Sequence, residues 1–225
     1  NYSFRTPSAR LYELGRTYFK RADGLADEPK VLSLGAYGDG YDFFTLKGAV
    51  ETVLDGLRIP AARYVADREN PSYHPGRCAK VYVGDKCLGT LGQVHPHVAA
   101  NYGMDCELYA AELDFAALLS VMGPDPVYQP LPRFPAVSRD IAVVCDKAIP
   151  VGDLEECIRR GAKGLLKAVE LFDIYTGIGV PEGKKSVAFR LTLRADDRSL
   201  TAEEADADVK SILAALESEL GARLR

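Results

Sequence analysis

Four residues whose types can hold an unpaired nucleobase fall in one short stretch of this sequence: the ring of Tyr175, the carboxylate of Asp173, the hydroxyl of Ser186 and the guanidinium of Arg190. A ring offers a stacking surface, and the other three offer hydrogen bonds to base edges, the combination by which single-stranded RNA is usually stacked and read. The stretch runs LFDIYTGIGVPEGKKSVAFRLTLR from Leu171 to Arg194 and reads as two strands joined by a glycine-rich loop. Side chains alternate along a strand, so Val187, Phe189, Leu191 and Leu193 share one side. Ser186, Ala188, Arg190, Thr192 and Arg194 share the other, which is small, polar and cationic. Asp173 and Tyr175 have one parity, and antiparallel pairing brings them near Ser186 and Arg190. Each residue also has an ordinary use: a strand tyrosine often simply packs within its sheet, and small residues also mark a face covered by another domain. Only their convergence favours RNA.

Positioning these groups takes a second half of the chain with its own fold. A strand is expected at Arg139 to Cys145, a helix at Val151 to Arg160, and strands at Leu165 to Tyr175 and Ser186 to Arg194. Thr201-Ala202-Glu203-Glu204 is a capping-box signature. It opens a last helix with Ala205, Val209, Ile212, Leu213, Leu216 and Leu220 on one stripe. With a terminal strand at Ala222 to Arg225 the order is βαββαβ, the split arrangement of ferredoxin-like domains. Both helices then cover one sheet face and leave the other open.

The front half reads as a largely antiparallel sheet backed by helices. Strands are expected from Leu11 and over 30–36, with a polar stretch over 20–27 between them, then an amphipathic helix over 42–57 whose apolar residues recur at spacings of three and four. A hairpin over 79–91, a short helix over 96–102, a strand over 108–113 and a helix over 115–122 follow. Five prolines between Gly123 and Pro135 sustain neither helix nor strand and read as a semi-rigid linker. The domain reading is therefore 1–126, a linker over 127–135, and 136–225, and the fold class is α+β.

Composition narrows the partners. At 225 residues, 47% apolar and 27% charged, the chain has the make-up of an ordinary soluble globule. Its 32 acidic against 28 basic residues, a net charge of -4, argue against gripping nucleic acid by bulk electrostatics, so any RNA contact must be a local patch. The five cysteines form no CxxC pair and leave one over, which fits reduced thiols in a cytoplasmic protein. With Gly84-Asp85 as a two-residue turn, Cys87 faces Tyr82 and Cys78 faces Leu91, too far apart for a bridge. No leader and no bilayer-length apolar run is visible, so no membrane partner is expected. A start at Asn1 without methionine suggests a piece of something longer.

The runs PRFPAVSRDIAVV from Pro132, LFDIY from Leu171, GKKSVAF from Gly183 and RSLT from Arg198 resemble the anticodon-binding ferredoxin-like domain that closes the bacterial phenylalanyl-tRNA synthetase β subunit. The front half is similar to that subunit's class II synthetase-like module through LYELGR from Leu11, DFFTLKG from Asp42, HPGR from His74 and GQVHP from Gly92. The resemblance implies that Tyr175 and Asp173 flank an anticodon base of phenylalanine tRNA and that Ser186 contacts it. Lys185 and Arg190, added from the expected face, would serve backbone or base edges. Ser138 departs from the basic residue often found beside the Arg-Asp pair, which weakens any phosphate contact at the linker end. The resemblance further implies a front module without a working active site, packed against a catalytic α subunit. ATP and magnesium would serve the parent enzyme, with no cofactor on this chain.

Catalytic signatures are otherwise missing. No arginine-rich ATP-binding strand pair can be assembled; GAYGDG at Gly35 lacks the P-loop lysine, and Gly177-Ile178-Gly179 lies in a hairpin, so both read as turns. His95 and His97 lack companions for a metal set and read as structural. A different class of function stays open: a ferredoxin-like amino-acid sensor, which would bind its ligand at the strand-to-helix loop Asp146 to Gly152.

Overall fold

Among the described residues every strand pairing is antiparallel. A computed structural model describes residues 2–60 and 62–225. They divide into two units, Asn1–Pro126 and Val127–Arg225.

In the first unit a one-turn 3-10 helix, Tyr2–Phe4, precedes β1 (Ala9–Arg16), β2 (Phe19–Lys20), β3 (Ala26–Asp27) and β4 (Lys30–Tyr37). Then come α1 (Phe43–Gly56), β5 (Arg63–Ala66), β6 (Tyr73–Val83), β7 (Lys86–Val94), α2 (Pro96–Asn101), β8 (Leu108–Asp114) and α3 (Phe115–Ser120). Six strands form one sheet in the order β1-β4-β8-β7-β6-β5, and β2-β3 is a separate small pair within the stretch expected to be merely polar. The helix α1 starts where Asp42 accepts a hydrogen bond from the Thr45 N–H at 2.7 Å, satisfying a donor the first turn would leave orphaned. Its Leu46, Val50 and Leu54 pack with Val81, Leu88, Leu91, Leu113 and Leu118 in one core.

The β6-β7 register departs from expectation by one residue. Cys87 faces Tyr82, but Cys78 faces Gly92 rather than Leu91, because Leu88 is an extra residue between the Tyr82-Cys87 and Val81-Gly89 pairs. Gly89 follows at φ 151, and a Cβ there would lie 2.0 Å from the Glu112 carbonyl oxygen, so the shift requires glycine. The strand β5, short and mostly exposed, is not visible in the sequence pattern. All five cysteines are free.

Residues 121–136 carry neither helix nor strand. The second unit then runs β9 (Val137–Asp146), α4 (Val151–Gly161), β10 (Leu166–Tyr175), β11 (Lys184–Leu193), α5 (Ala202–Leu220) and β12 (Arg223–Leu224), with sheet order β10-β11-β9-β12. This is the ferredoxin-like βαββαβ arrangement. Leu154, Cys157 and Ile158 of α4 and Ile212 and Leu216 of α5 pack on Ile141, Val143, Cys145, Val187, Phe189 and Leu191. Strict alternation thus sends every second residue of β9 and β11 to the helices. Phe189 is fully buried, a contribution of about 1.5–3 kcal/mol from its apolar area. At the start of α5 the capping box forms in both directions: Thr201 Oγ1 accepts from the Glu204 N–H at 3.3 Å, and Glu204 Oε2 accepts from the Thr201 N–H at 3.0 Å.

Candidate nucleic-acid interface

The residues of opposite parity form the sheet face that α4 and α5 do not cover. Its register places Tyr175 opposite Ser186, Asp173 opposite Ala188 and Glu170 opposite Arg190 on one side of β11. On the other side, Ser186, Ala188 and Arg190 face Val144, Ala142 and Asp140. A floor of small side chains therefore runs across the middle of the sheet. Tyr175 is 39% exposed, and its hydroxyl donates to the Ile178 carbonyl at 3.3 Å, which fixes the ring against the loop. Gly177 leaves room for it: a Cβ there would stand 2.5 Å from the Tyr175 hydroxyl oxygen, and the ring would have to shift.

Two guanidinium groups stand beside rings on this face. Arg225 donates its backbone N–H to Ala142 at 2.8 Å, and its guanidinium carbon stands 5.6 Å from the centre of the Tyr175 ring. Since β12 and β10 are opposite edges of the sheet, that contact has to cross over β9 and β11, and small side chains such as Ala142 and Ala188 make the crossing possible. Arg190 donates through Nε and Nη2 to both carboxylate oxygens of Asp140, each at 2.9 Å. This pairing holds the Asp140 carboxyl below its ordinary range. Asp173 is exposed, and neither it nor the Ser186 hydroxyl has a hydrogen-bond partner among the described residues. The Asp173 carboxylate and the Tyr175 ring are thus exposed, while Ser186, only 4% exposed, lies in the floor beside them with its hydroxyl unpaired.

Asp173, Tyr175, Ser186 and Arg190 are brought to one face; Lys185 is not. It lies opposite Cys145 on the helix side of β11, is only 9% exposed, and donates its ammonium to the Ile149 carbonyl. The reason is the period of the strand itself, which sends neighbours of Ser186 the other way.

Sequence reasoning missed Phe172. Between the Leu171-Phe189 and Asp173-Ala188 pairs β10 carries one residue more than β11, a bulge that turns Phe172 onto the open face. Its ring, 52% exposed, stands 5.5 Å from the Arg190 guanidinium carbon.

Other candidate groups are engaged within the chain. In the Asp146 to Gly152 loop, Asp146 accepts from the Ala148 N–H at 3.0 Å and pairs with Lys184, while Lys185 holds Ile149. His95 caps α2 by accepting from the His97 N–H, and the two rings stack at 5.2 Å. Arg77 donates to Gln93 and Glu107, and Tyr109 donates to the other Glu107 oxygen at 2.6 Å. Among the described residues no group of three or more His, Cys, Asp or Glu could hold a metal ion, and no helix is long and apolar enough to cross a membrane.

Residues 1–115 match the family model described as phenylalanyl tRNA synthetase beta chain CLM domain. The chain belongs to the phenylalanyl-tRNA synthetase β-chain family. Residues 132–225, which hold the face described above, match the ferredoxin-fold anticodon binding domain. Among relatives of this β-chain segment, "Phenylalanine--tRNA ligase beta subunit" of Clostridium tetani is 40% identical over 100% of this chain and 29% of its own length. The protein of the same description from Clostridium acetobutylicum is 38% identical over 100% of this chain and 28% of its own. That of Symbiobacterium thermophilum is 42% identical over 96% and 25%. The segment thus spans less than a third of the length of these β-chain relatives.

Proposed function

We propose that the open face of the second unit binds the anticodon stem-loop of phenylalanine tRNA, with one base stacked on Tyr175 and its edge met by Asp173 and Ser186. Arg190, fixed by Asp140, lies beside that base and meets phosphate or base edges. The observation that carries this reading is the Tyr175-Ser186 pair: a ring 39% exposed, directly across the ladder from an unpaired hydroxyl in the floor of the face and two residues along the strand from the exposed Asp173 carboxylate. Base stacking on an aromatic residue is worth about 1–3 kcal/mol. Tyr175→Ala should weaken binding of the isolated stem-loop by that amount in a filter or calorimetric titration; unchanged affinity would remove Tyr175 from the site.

In this reading the chain places the tRNA and makes no bond itself. The parent enzyme joins phenylalanine to its tRNA in the cytoplasm using ATP and magnesium held elsewhere. The first unit, over 1–126, is a non-catalytic class II synthetase-like module joined to the binding domain through the proline-rich segment 127–135, and it packs against the catalytic α subunit. Support comes from its edge. Leu11, Tyr12 and Leu14 of the edge strand β1, with Phe44 at the start of α1, are 49–80% exposed. Apolar side chains gathered at a sheet edge mark a site where another chain packs. Tyr12→Asp should abolish or sharply reduce co-purification of the α subunit while leaving stem-loop affinity intact.

A further inference from the structure

Phe172 and Arg190 make a second ring-and-cation pair on the face where Tyr175 and Arg225 make the first. Its parts are held in place by different means. The bulge fixes Phe172 to the open face with half its surface exposed, and the bidentate Asp140 contact fixes the guanidinium above it. A guanidinium has five N–H donors. Asp140 takes one from Nε and one from Nη2, so both hydrogens of Nη1 and one of Nη2 have no partner among the described residues. An exposed ion pair of this kind adds little to stability, and a half-exposed phenyl ring gains little from its sheet. The pair is built like a platform: flat, oriented and with donors to spare.

Spacing decides what it can serve. Phe172 and Tyr175 are three residues apart on β10, about 10 Å at the usual rise of a strand. Stacked rings sit with centroids about 4.5–7 Å apart, so one base cannot lie on both. We propose that Phe172 and Arg190 hold a second unpaired nucleotide of the same RNA, its base on the Phe172 ring and its acceptors met by the free Arg190 N–H groups. This rests on the reading that the Tyr175 face takes the anticodon stem-loop.

The test uses the full-length protein with the phenylalanine tRNA stem-loop, intact and with an abasic residue at each loop position in turn. Phe172→Ala should weaken the intact stem-loop by roughly five- to a hundredfold, and Phe172→Tyr, which keeps the ring, should not. The loss should vanish on one abasic RNA, at a different position from the one on which the Tyr175→Ala loss vanishes. Unchanged affinity in Phe172→Ala beside a weakened Tyr175→Ala overturns the second station and leaves the first standing. A Phe172→Ala loss that persists on every abasic RNA also overturns it, since the effect would then come from the sheet. If Tyr175→Ala binds as well as the parent protein, the anticodon reading itself fails and takes this one with it.

Discussion

The two sheets of this chain share a plan and differ in what they leave on the second face. Each packs helices against one side, and each has a row of small residues across the other: Gly35, Ala110, Gly92 and Cys78 in the first, Val144 with Ser186 and Ala142 with Ala188 in the second. Over the second row lie two aromatic rings, each with a guanidinium beside it. Against the first row the Tyr73 ring of β6 packs on Gly92 and is only 7% exposed, so it offers no free stacking surface. Small side chains make room, but room alone recognises nothing. What distinguishes a reading surface is the ring, the hydroxyl and the carboxylate left without partners at the edge of that room.

The contrast can be attacked first at the support beneath the faces. Phe189→Ala, in the fully buried layer under the second face, should cost about 3–5 kcal/mol in chemical denaturation; Leu91→Ala, its counterpart in the first sheet, about 2–5 kcal/mol. Stem-loop affinity should fall with the former. Next comes the floor itself. Ala188→Leu should lift Tyr175 and Arg225 from their places and weaken stem-loop binding by about 1–3 kcal/mol, whereas Ala110→Leu should leave that affinity untouched. If both variants bind alike, the two faces do not differ as described.

A smaller effect is expected at the cap of α5. Thr201→Ala removes one half of the reciprocal pair with Glu204 and should lower stability by about 1 kcal/mol, seen as a reduced melting temperature. The smallest is a response to acid. Asp140 is held below its ordinary value of 3.8 first by its hydrogen bonds to Arg190, and Glu107 below 4.5 first by Tyr109 and then by Arg77. A depressed carboxylate stabilises the fold above its unfolded value and loses that contribution as pH falls through the folded one. Both pairs should therefore be indifferent from neutrality down to about pH 5 and loosen only below the ordinary carboxylate range. Carboxyl NMR titration of Asp140 should show this, and Asp140→Asn should free Arg190 at neutral pH.

Much of the second face was legible because it depends on one local rule. Alternation along 186–194 named the buried residues of β11, and the loop length brought Tyr175 across from Ser186. The same rule also contained the correction for Lys185, which shares parity with Val187 and so belongs with the helices. Phe172 was hidden because a bulge breaks alternation without any glycine or proline to announce it. Arg225 was hidden for another reason: it meets Tyr175 only through the order of strands in space, fifty residues along the chain. In the first unit the capped helix α1 was plain from its period, while the Cys78 register turned on Leu88 and Gly89, where a close approach to β8 decides the pairing.

The bulge at Phe172 carries a consequence for how this face can change. Removing that one residue would close this part of the β10 ladder, with Leu171 still opposite Phe189 and Asp173 still opposite Ala188. The phenyl ring therefore occupies a place on the strand that the scaffold can spare, and substitutions there can alter what is recognised while the framework around it stays as it is.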